Sequence, residues 1–314
     1  MKAEMAGRRT IKAISEVVNF AVLTAIVLLL AYAGYSLWDS QQIYRAAEKS
    51  NYAIYKPTAE NEGKTFKELQ AINPEVIAWL SVYGTNIDYP VTQGEDNQKY
   101  INTDAEGRHS LSGALFLDSN NRKDFSDFNN IVYGHHMEKQ AMFGEIGSFT
   151  DKNMFDTHRY GNLYVDGKNY GIEFFAFVHA DAYDSMVFSP NVEGEARQAY
   201  LDGLLEKAKH KRAVPISTDD RIVLLSTCSS YSTNGRDILL GKITDKTYSD
   251  PYFAEDIKSP KTGIAIGGNN GFLHNIELHP AAIVFAAAMM MIARLVAYIY
   301  RSIQQKLRVK RIET

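Results

Sequence analysis

Hydrophobic and polar positions follow three different rhythms along this chain. Residues 17–38 read VVNFAVLTAIVLLLAYAGYSLW, an uncharged apolar run long enough to cross a bilayer as a helix. Residues 281–300, AAIVFAAAMMMIARLVAYIY, form a second such run interrupted by Arg294. Between them the pattern shortens. Residues 39–64 are polar and helix-tolerant up to Tyr55, then break at Pro57, which predicts a juxtamembrane stalk. FKELQAI at 66–72 predicts one short amphipathic helix, closed by Asn73-Pro74. From there VIAWLSVYG, NIDYPVTQ, GALFLDS, NNIVYGHH, GNLYVDG, NYGIEFFAFVHADA, RIVLLSTCSS and ILLGKIT are β-branched or aromatic runs bounded by Gly, Asn, Asp and Ser. Asp166-Gly167 between two of them reads as a hairpin turn. Two helices are expected to interrupt the strands, at 141–155 and 194–210. About eight strands with few helices argue for a mainly β fold, a closed or nearly closed barrel rather than a doubly wound sheet.

Charge sharpens this organisation. The formal net charge is −3, from 34 Lys+Arg against 37 Asp+Glu, which excludes a globally basic nucleic-acid binder. The N-terminal tail carries +2, the last fourteen residues +4 and Arg294 one more, leaving about −10 for residues 39–279. Basic residues flank the outer side of both apolar runs, so the positive-inside rule puts both termini in the cytoplasm and the middle outside the cell membrane. Tyr35 and Trp38 suit an interfacial belt, and Arg294 lies near enough to one end of its run to snorkel. The expected organisation is a basic tail at 1–16, a transmembrane helix at 17–38, a stalk at 39–64 and a barrel at 65–250. A linker at 251–279, a second transmembrane helix at 280–300 and a basic tail at 301–314 complete it.

Cys228 is the only cysteine, so the outward domain has no internal disulfide and its thiol invites a use. LLSTC is an apolar strand that emerges into Ser226, Thr227 and Cys228, placing the sulfur at a strand end. Arg236 follows eight residues later, after the turn-rich SSYSTNG and before another strand. Antiparallel pairing across that loop would bring the two together. A guanidinium beside a thiol favours the thiolate and can hold a developing oxyanion. Upstream, IVYGHH is a strand ending in histidine, and a cysteine nucleophile needs a histidine to protonate its leaving amine. His135 and His136 are adjacent, so they point to opposite faces and only one can serve. Metal binding by this pair lacks a second Cys or a suitably spaced acid, and no cofactor is called for. The six other histidines have no comparable setting.

LLSTC with Arg236 eight positions on, together with NNIVYGHHM, resembles the sortases, the membrane-anchored cysteine transpeptidases of Gram-positive cell surfaces. The resemblance spans most of residues 65–248. WLSVYGTNIDYPVTQGEDNQKYI, GALFLDSNN and the long helix before the Cys strand make it similar to class B. It implies an eight-stranded sortase-type barrel with a few peripheral helices, here flanked by two transmembrane helices. It further implies Cys228 as nucleophile, His135 as acid and base, and Arg236 as the oxyanion or substrate-holding group. Ser226, Thr227 and Tyr133 are the expected substrate-binding positions. The implied substrates are surface proteins with a C-terminal sorting signal. The amine acceptor would be a pilin lysine, favoured because a second membrane segment is more usual in pilus-building sortases, or a lipid-linked peptidoglycan precursor. A membrane-anchored cysteine hydrolase using the same residues is the alternative.

Overall fold

The computed structural model describes residues 2–58, 63–229, 233–252 and Arg294. The expected second transmembrane segment, most of the linker and the C-terminal tail lie outside the described residues. The first helix, α1 (Lys2–Ala46), extends past the expected span at both ends. Its portion Ile14–Ala46 is long and apolar enough to cross a membrane, with a mean hydropathy of 2.3. Leu29 and Leu30 are about two-thirds exposed on it, a surface that water alone would not favour. As far as Gln42 the helix belongs to a unit separate from the one that begins at Ile43.

The second unit is built on a sheet that closes on itself. A short helix α2 (Lys64–Ile72) precedes β1 (Val76–Val82), β2 (Asp88–Thr92), β3 (Leu115–Leu117) and β4 (Asn129–Tyr133). Helix α3 (Lys152–Thr157) leads into β5 (Tyr160–Val165) and β6 (Lys168–Asp181). Helix α4 (Ala196–Lys207), β7 (Ala208–Lys211), β8 (Arg221–Cys228) and β9 (Gly235–Thr244) follow. The strand order is β5-β1-β2-β3-β4-β8-β9-β6-β7, and β5 also pairs with β6. That extra pairing closes eight strands into a barrel and leaves β7 outside as an appendage on β6. β2–β3 and β4–β8 are parallel; the other pairs are antiparallel. The β5–β6 turn is the predicted one, with both Asp166 and Gly167 at positive φ, the geometry that matches strand twist in a two-residue hairpin.

All eight runs read as strands are strands. The expected helix at 141–155 is instead a 3₁₀ turn, Ile146–Thr150, followed by the short α3. Phe143, Ile146, Phe149 and Phe155 are all buried, so the apolar spacing is real. Gly144 and Gly147 weaken a continuous helix, and Asp151 starts a new one by accepting the Met154 N–H at 2.9 Å. Strand β7 was hidden in the expected helix at 194–210. Its sequence AKHK alternates half-buried and exposed positions, and pairing with β6 overrides the helical preference of the preceding residues. Exposed lysines on that outer strand discourage further edge pairing.

Alternation along the strands divides the apolar side chains between two cores. Val223, Leu225 and Leu239 join the barrel interior with Val132, Phe174 and Phe177. Ile222, Leu224, Ile238 and Leu240 point the other way, joining Ile131, Val178 and, from α4, Tyr200, Leu201 and Leu204. Each fully buried aliphatic side chain contributes roughly 1.5–3 kcal/mol, so this second core holds α4 firmly on the outer face of β4, β8, β9 and β6. Cys228 and Arg236 lie on that same face.

Candidate active site

Cys228 ends β8, and its register partner across the antiparallel ladder is Arg236, near the start of β9. Directly paired residues share a face with Cβ atoms about 5 Å apart. Both belong to the outer face: Leu224, Ser226 and Cys228 form one row, and Arg236, Ile238 and Leu240 the next. Cys228 is exposed and Arg236 half-buried. The Ser229 N–H donates to the Gly235 carbonyl at 2.8 Å, continuing the ladder just past the thiol.

His135 reaches the same face from β4, which runs parallel to β8 with Tyr133 opposite Ser226. Two bonds weld the ends of these strands: the Gly134 N–H donates to the Ser226 carbonyl at 3.1 Å, and the Thr227 hydroxyl to the Gly134 carbonyl at 2.8 Å. A Cβ on Gly134 would lie 2.4 Å from Leu115 Cδ2 and 2.7 Å from Phe143 Cδ2, so only glycine fits there. With Gly134 against the interior, His135 follows Ile131 and Tyr133 outward. His135 is half-buried, and its Nε2 lies 2.8 Å from the Ile101 carbonyl oxygen. His136 is exposed and bridges to Met142 instead. The structure therefore gathers His135, Cys228 and Arg236 at one end of one face and leaves His136 off it.

The remaining expected positions divide. Tyr133 is a half-buried wall: its ring lies between Phe116 and Phe188, at centroid distances of 5.3 and 6.3 Å, and its hydroxyl donates to Asp118 at 3.0 Å. Burial, and then the Asp118 carboxylate, push its phenol well above the usual range. Ser226 is buried on the Cys228 face, and its Oγ has no hydrogen-bond partner among the described residues. Thr227, expected at the substrate groove, is buried as well. It is 2% exposed and spends its hydroxyl on Gly134, because its place in the alternation turns it inward.

Sequence reasoning missed the supporting partners. Asp118 and the Ile101 carbonyl are far from the motifs, and a backbone acceptor leaves no mark in a sequence. Asp237 turns inward beside Arg236, where it accepts from His179 Nδ1 at 2.7 Å and braces β9 against β6. An open cavity of about 650 Å³ borders Arg236 on the β6 side, lined also by Ser229, Asp181, Asp184, Lys207 and Lys209. Among the described residues no group of three or more His, Cys, Asp or Glu side chains is placed to hold a metal.

No family model matches the sequence. The chain is 28% identical over 231 residues to sortase B of Staphylococcus aureus, covering 69% of this chain and 93% of that protein. It also resembles solved structures. Sortase B from the type II pilus of Streptococcus pneumoniae is 49% identical, with a TM-score of 0.51, covering 58% of this chain and 99% of that one. A Streptococcus pyogenes class B sortase involved in pilus biogenesis is 39% identical, with a TM-score of 0.54 over 58% of this chain and 99% of that one. A closed barrel of this order, shared with these proteins, is that of a cysteine transpeptidase. More narrowly, the chain belongs to the class B sortases.

Proposed function

We propose that Cys228 is the nucleophile, His135 the acid and base, and Arg236 the group that holds the substrate carbonyl. The Cys228–Arg236 register pair carries this reading, because it roots an arginine directly across the ladder from the only thiol of the chain, with Arg236 Nη1 donating to the Gly235 carbonyl at 3.0 Å. The thiolate adds to the carbonyl carbon of the scissile peptide, and Arg236 N–H groups stabilise the oxyanion of the tetrahedral intermediate. Collapse breaks the C–N bond as His135 protonates the departing amine, leaving a thioester on Cys228. An incoming amine then adds to the thioester, gives its proton to His135, and expels the thiolate as the new amide forms. Tyr133 supplies an aromatic wall to the acyl peptide, while Ser226 and Thr227 lie buried in the strand that ends at Cys228 and shape the floor beneath it.

The substrate is a surface protein with a C-terminal sorting signal, and the favoured acceptor is a lysine amine of a pilin-type subunit. The pilus origin of the two streptococcal relatives supports that choice over the peptidoglycan cross-bridge. Helix α1 supports an anchor in the cell membrane, and the basic residues outside both apolar runs support a barrel outside the cell with both termini in the cytoplasm. The outward region's charge of about −10 suits a cationic acceptor of either kind. The full chain is to be incubated with a sorting-signal peptide and either a lysine-bearing pilin fragment or a wall-precursor amine, and the products weighed by mass spectrometry. Ligation to the pilin lysine is expected. Ligation to the wall amine alone would overturn the acceptor choice, and hydrolysis with both amines present would make the chain a peptidase.

A further inference from the structure

Histidine has two ring nitrogens, and the hydrogen bond made by one decides what the other can do. His135 Nε2 lies 2.8 Å from the carbonyl oxygen of Ile101. A carbonyl only accepts, so Nε2 carries the hydrogen in this bond. We infer that the Ile101 carbonyl is the positioning group of the active-site histidine, fixing His135 as the Nε2–H tautomer and reserving Nδ1 for proton exchange with substrate. The inference rests on the acid–base role proposed for His135.

What makes this more than a chance contact is how firmly the carbonyl is mounted. Ile101 closes a 3₁₀ turn, Lys99–Ile101, in the long connection between β2 and β3. Its middle residue, Tyr100, is fully buried; the Tyr100 hydroxyl donates to Glu75 at 2.6 Å and accepts from Asn73 Nδ2 at 2.9 Å. Lys99 Nζ meets the same Glu75 carboxylate at 2.6 Å. Asn73 Nδ2 also donates to the Ala105 carbonyl at 3.1 Å, tying both sides of the connection to the residues before β1. Behind the turn, Gly113 sits at φ +60°, and a Cβ there would stand 2.4 Å from the Tyr100 carbonyl oxygen and 2.7 Å from the Ile101 carbonyl oxygen. The histidine is held equally well from its own side, by the Thr227 bond to Gly134 and by the Phe143 N–H, which donates to the His135 carbonyl at 3.0 Å. Two separately braced segments thus meet at one N–H···O contact.

The proton accounting follows. In the imidazolium both nitrogens carry hydrogen; the Nε2–H stays on Ile101 throughout. The Nδ1–H passes to the departing amine as the scissile C–N bond breaks, leaving a neutral ring with Nδ1 bare. Nδ1 then accepts the proton lost by the incoming amine as the thioester C–S bond breaks, and the thiolate and imidazolium are restored. The Ile101 oxygen does for this histidine what a buried carboxylate does in a Ser-His-Asp triad, without adding a charge.

Nitrogen-15 spectra of the full chain in nanodiscs, labelled at histidine and recorded where the ring is neutral, test this directly. The His135 signal is identified by its loss in His135→Gln. A protonated Nε2 with a bare Nδ1 is expected, and the opposite tautomer or an averaged pair of nitrogens would overturn the inference. Gly113→Ala displaces the carbonyl, and Tyr100→Phe, which leaves the packing intact, releases the turn from Glu75 and Asn73. In whichever of these folds, kcat should fall by about ten- to a hundred-fold with KM little changed, and the His135 nitrogens should average. An unaltered tautomer and kcat in Tyr100→Phe would count against the mounting described. Full turnover in His135→Gln would instead sink the proposed acid–base role while leaving the tautomer measurement intact.

Discussion

At the scale of single residues, alternation along three strands decides which neighbours share the face of the proposed active site. His135 and His136 are chemically identical, yet one continues the outward row of Ile131 and Tyr133 while the other is exposed and bridges to Met142. Cys228→Ala should therefore abolish cleavage in a peptide assay, and His135→Ala should come close to it. His136→Ala should keep most of the activity, and equal loss at both histidines would refute the assignment. The exposed position of Cys228 means its removal should leave the thermal midpoint unchanged. Arg236 admits a finer test. Lysine keeps the positive charge but lacks the planar fork of donors. Arg236→Lys should lower kcat by about ten- to a thousand-fold, the loss of one oxyanion-holding donor, measured with saturating peptide. A fully active lysine variant would mean that charge alone suffices.

Between elements, a few polar joints keep the strand ends in place. The Thr227 hydroxyl couples β8 to the end of β4 at a buried position. Thr227→Val keeps the shape and removes the bond, so unfolding by denaturant should cost about 0.5–1.5 kcal/mol less. Because that bond positions Gly134, the step before His135, kcat should drop with KM unchanged. A variant with wild-type kcat would show that the other strand contacts hold the histidine unaided. On the far side of the barrel, Asp88 in β2 accepts from Trp79 Nε1 at 2.8 Å and Ser81 Oγ at 2.7 Å, and pairs with Lys56 of the stalk at 2.7 Å. Burial by itself would raise this carboxyl, but Lys56, Trp79 and Ser81 together outweigh it and hold Asp88 below the ordinary carboxylate range. A folded-state value below the unfolded one gives stability that is complete above the unfolded value and is lost as pH falls toward the folded one. Asp88→Asn should therefore narrow the stability gap between pH 7 and pH 3. An unchanged acid limb in denaturant titrations of the variant would remove Asp88 from the joint.

For the whole molecule, a helix long and apolar enough to cross a membrane and a closed barrel fit the anchor proposed above. The proposed topology predicts that protease added to sealed, right-side-out vesicles destroys the barrel and spares tags at both termini. Digestion of the C-terminal tag would show that residues 281–300 do not span. Digestion of the N-terminal tag would invert the orientation argued from the basic residues at 2–12.

Composition and period alone carried the barrel a long way: the eight β-branched runs, the Asp166-Gly167 hairpin and the first apolar helix are local properties, and local properties are written in consecutive residues. The strand-end placement of the proposed site residues was legible for the same reason, since LLSTC, the spacing to Arg236 and IVYGHH each put a reactive group at or just past a strand end. Strand β7 was not legible, because AKHK becomes a strand only through the open edge of β6. The helix expected at 141–155 broke because Asp151 and two glycines act on backbone geometry, which apolar spacing does not report. The sequence could name Thr227 but not its direction; the register of β4 against β8 turned it inward. Only the tertiary structure closed the sheet through β5 and β6, covered the outer face with α4, and brought the Ile101 carbonyl to His135 from a segment 34 residues away. Such contacts are set by where distant segments meet, and no residue type in either segment encodes them by itself.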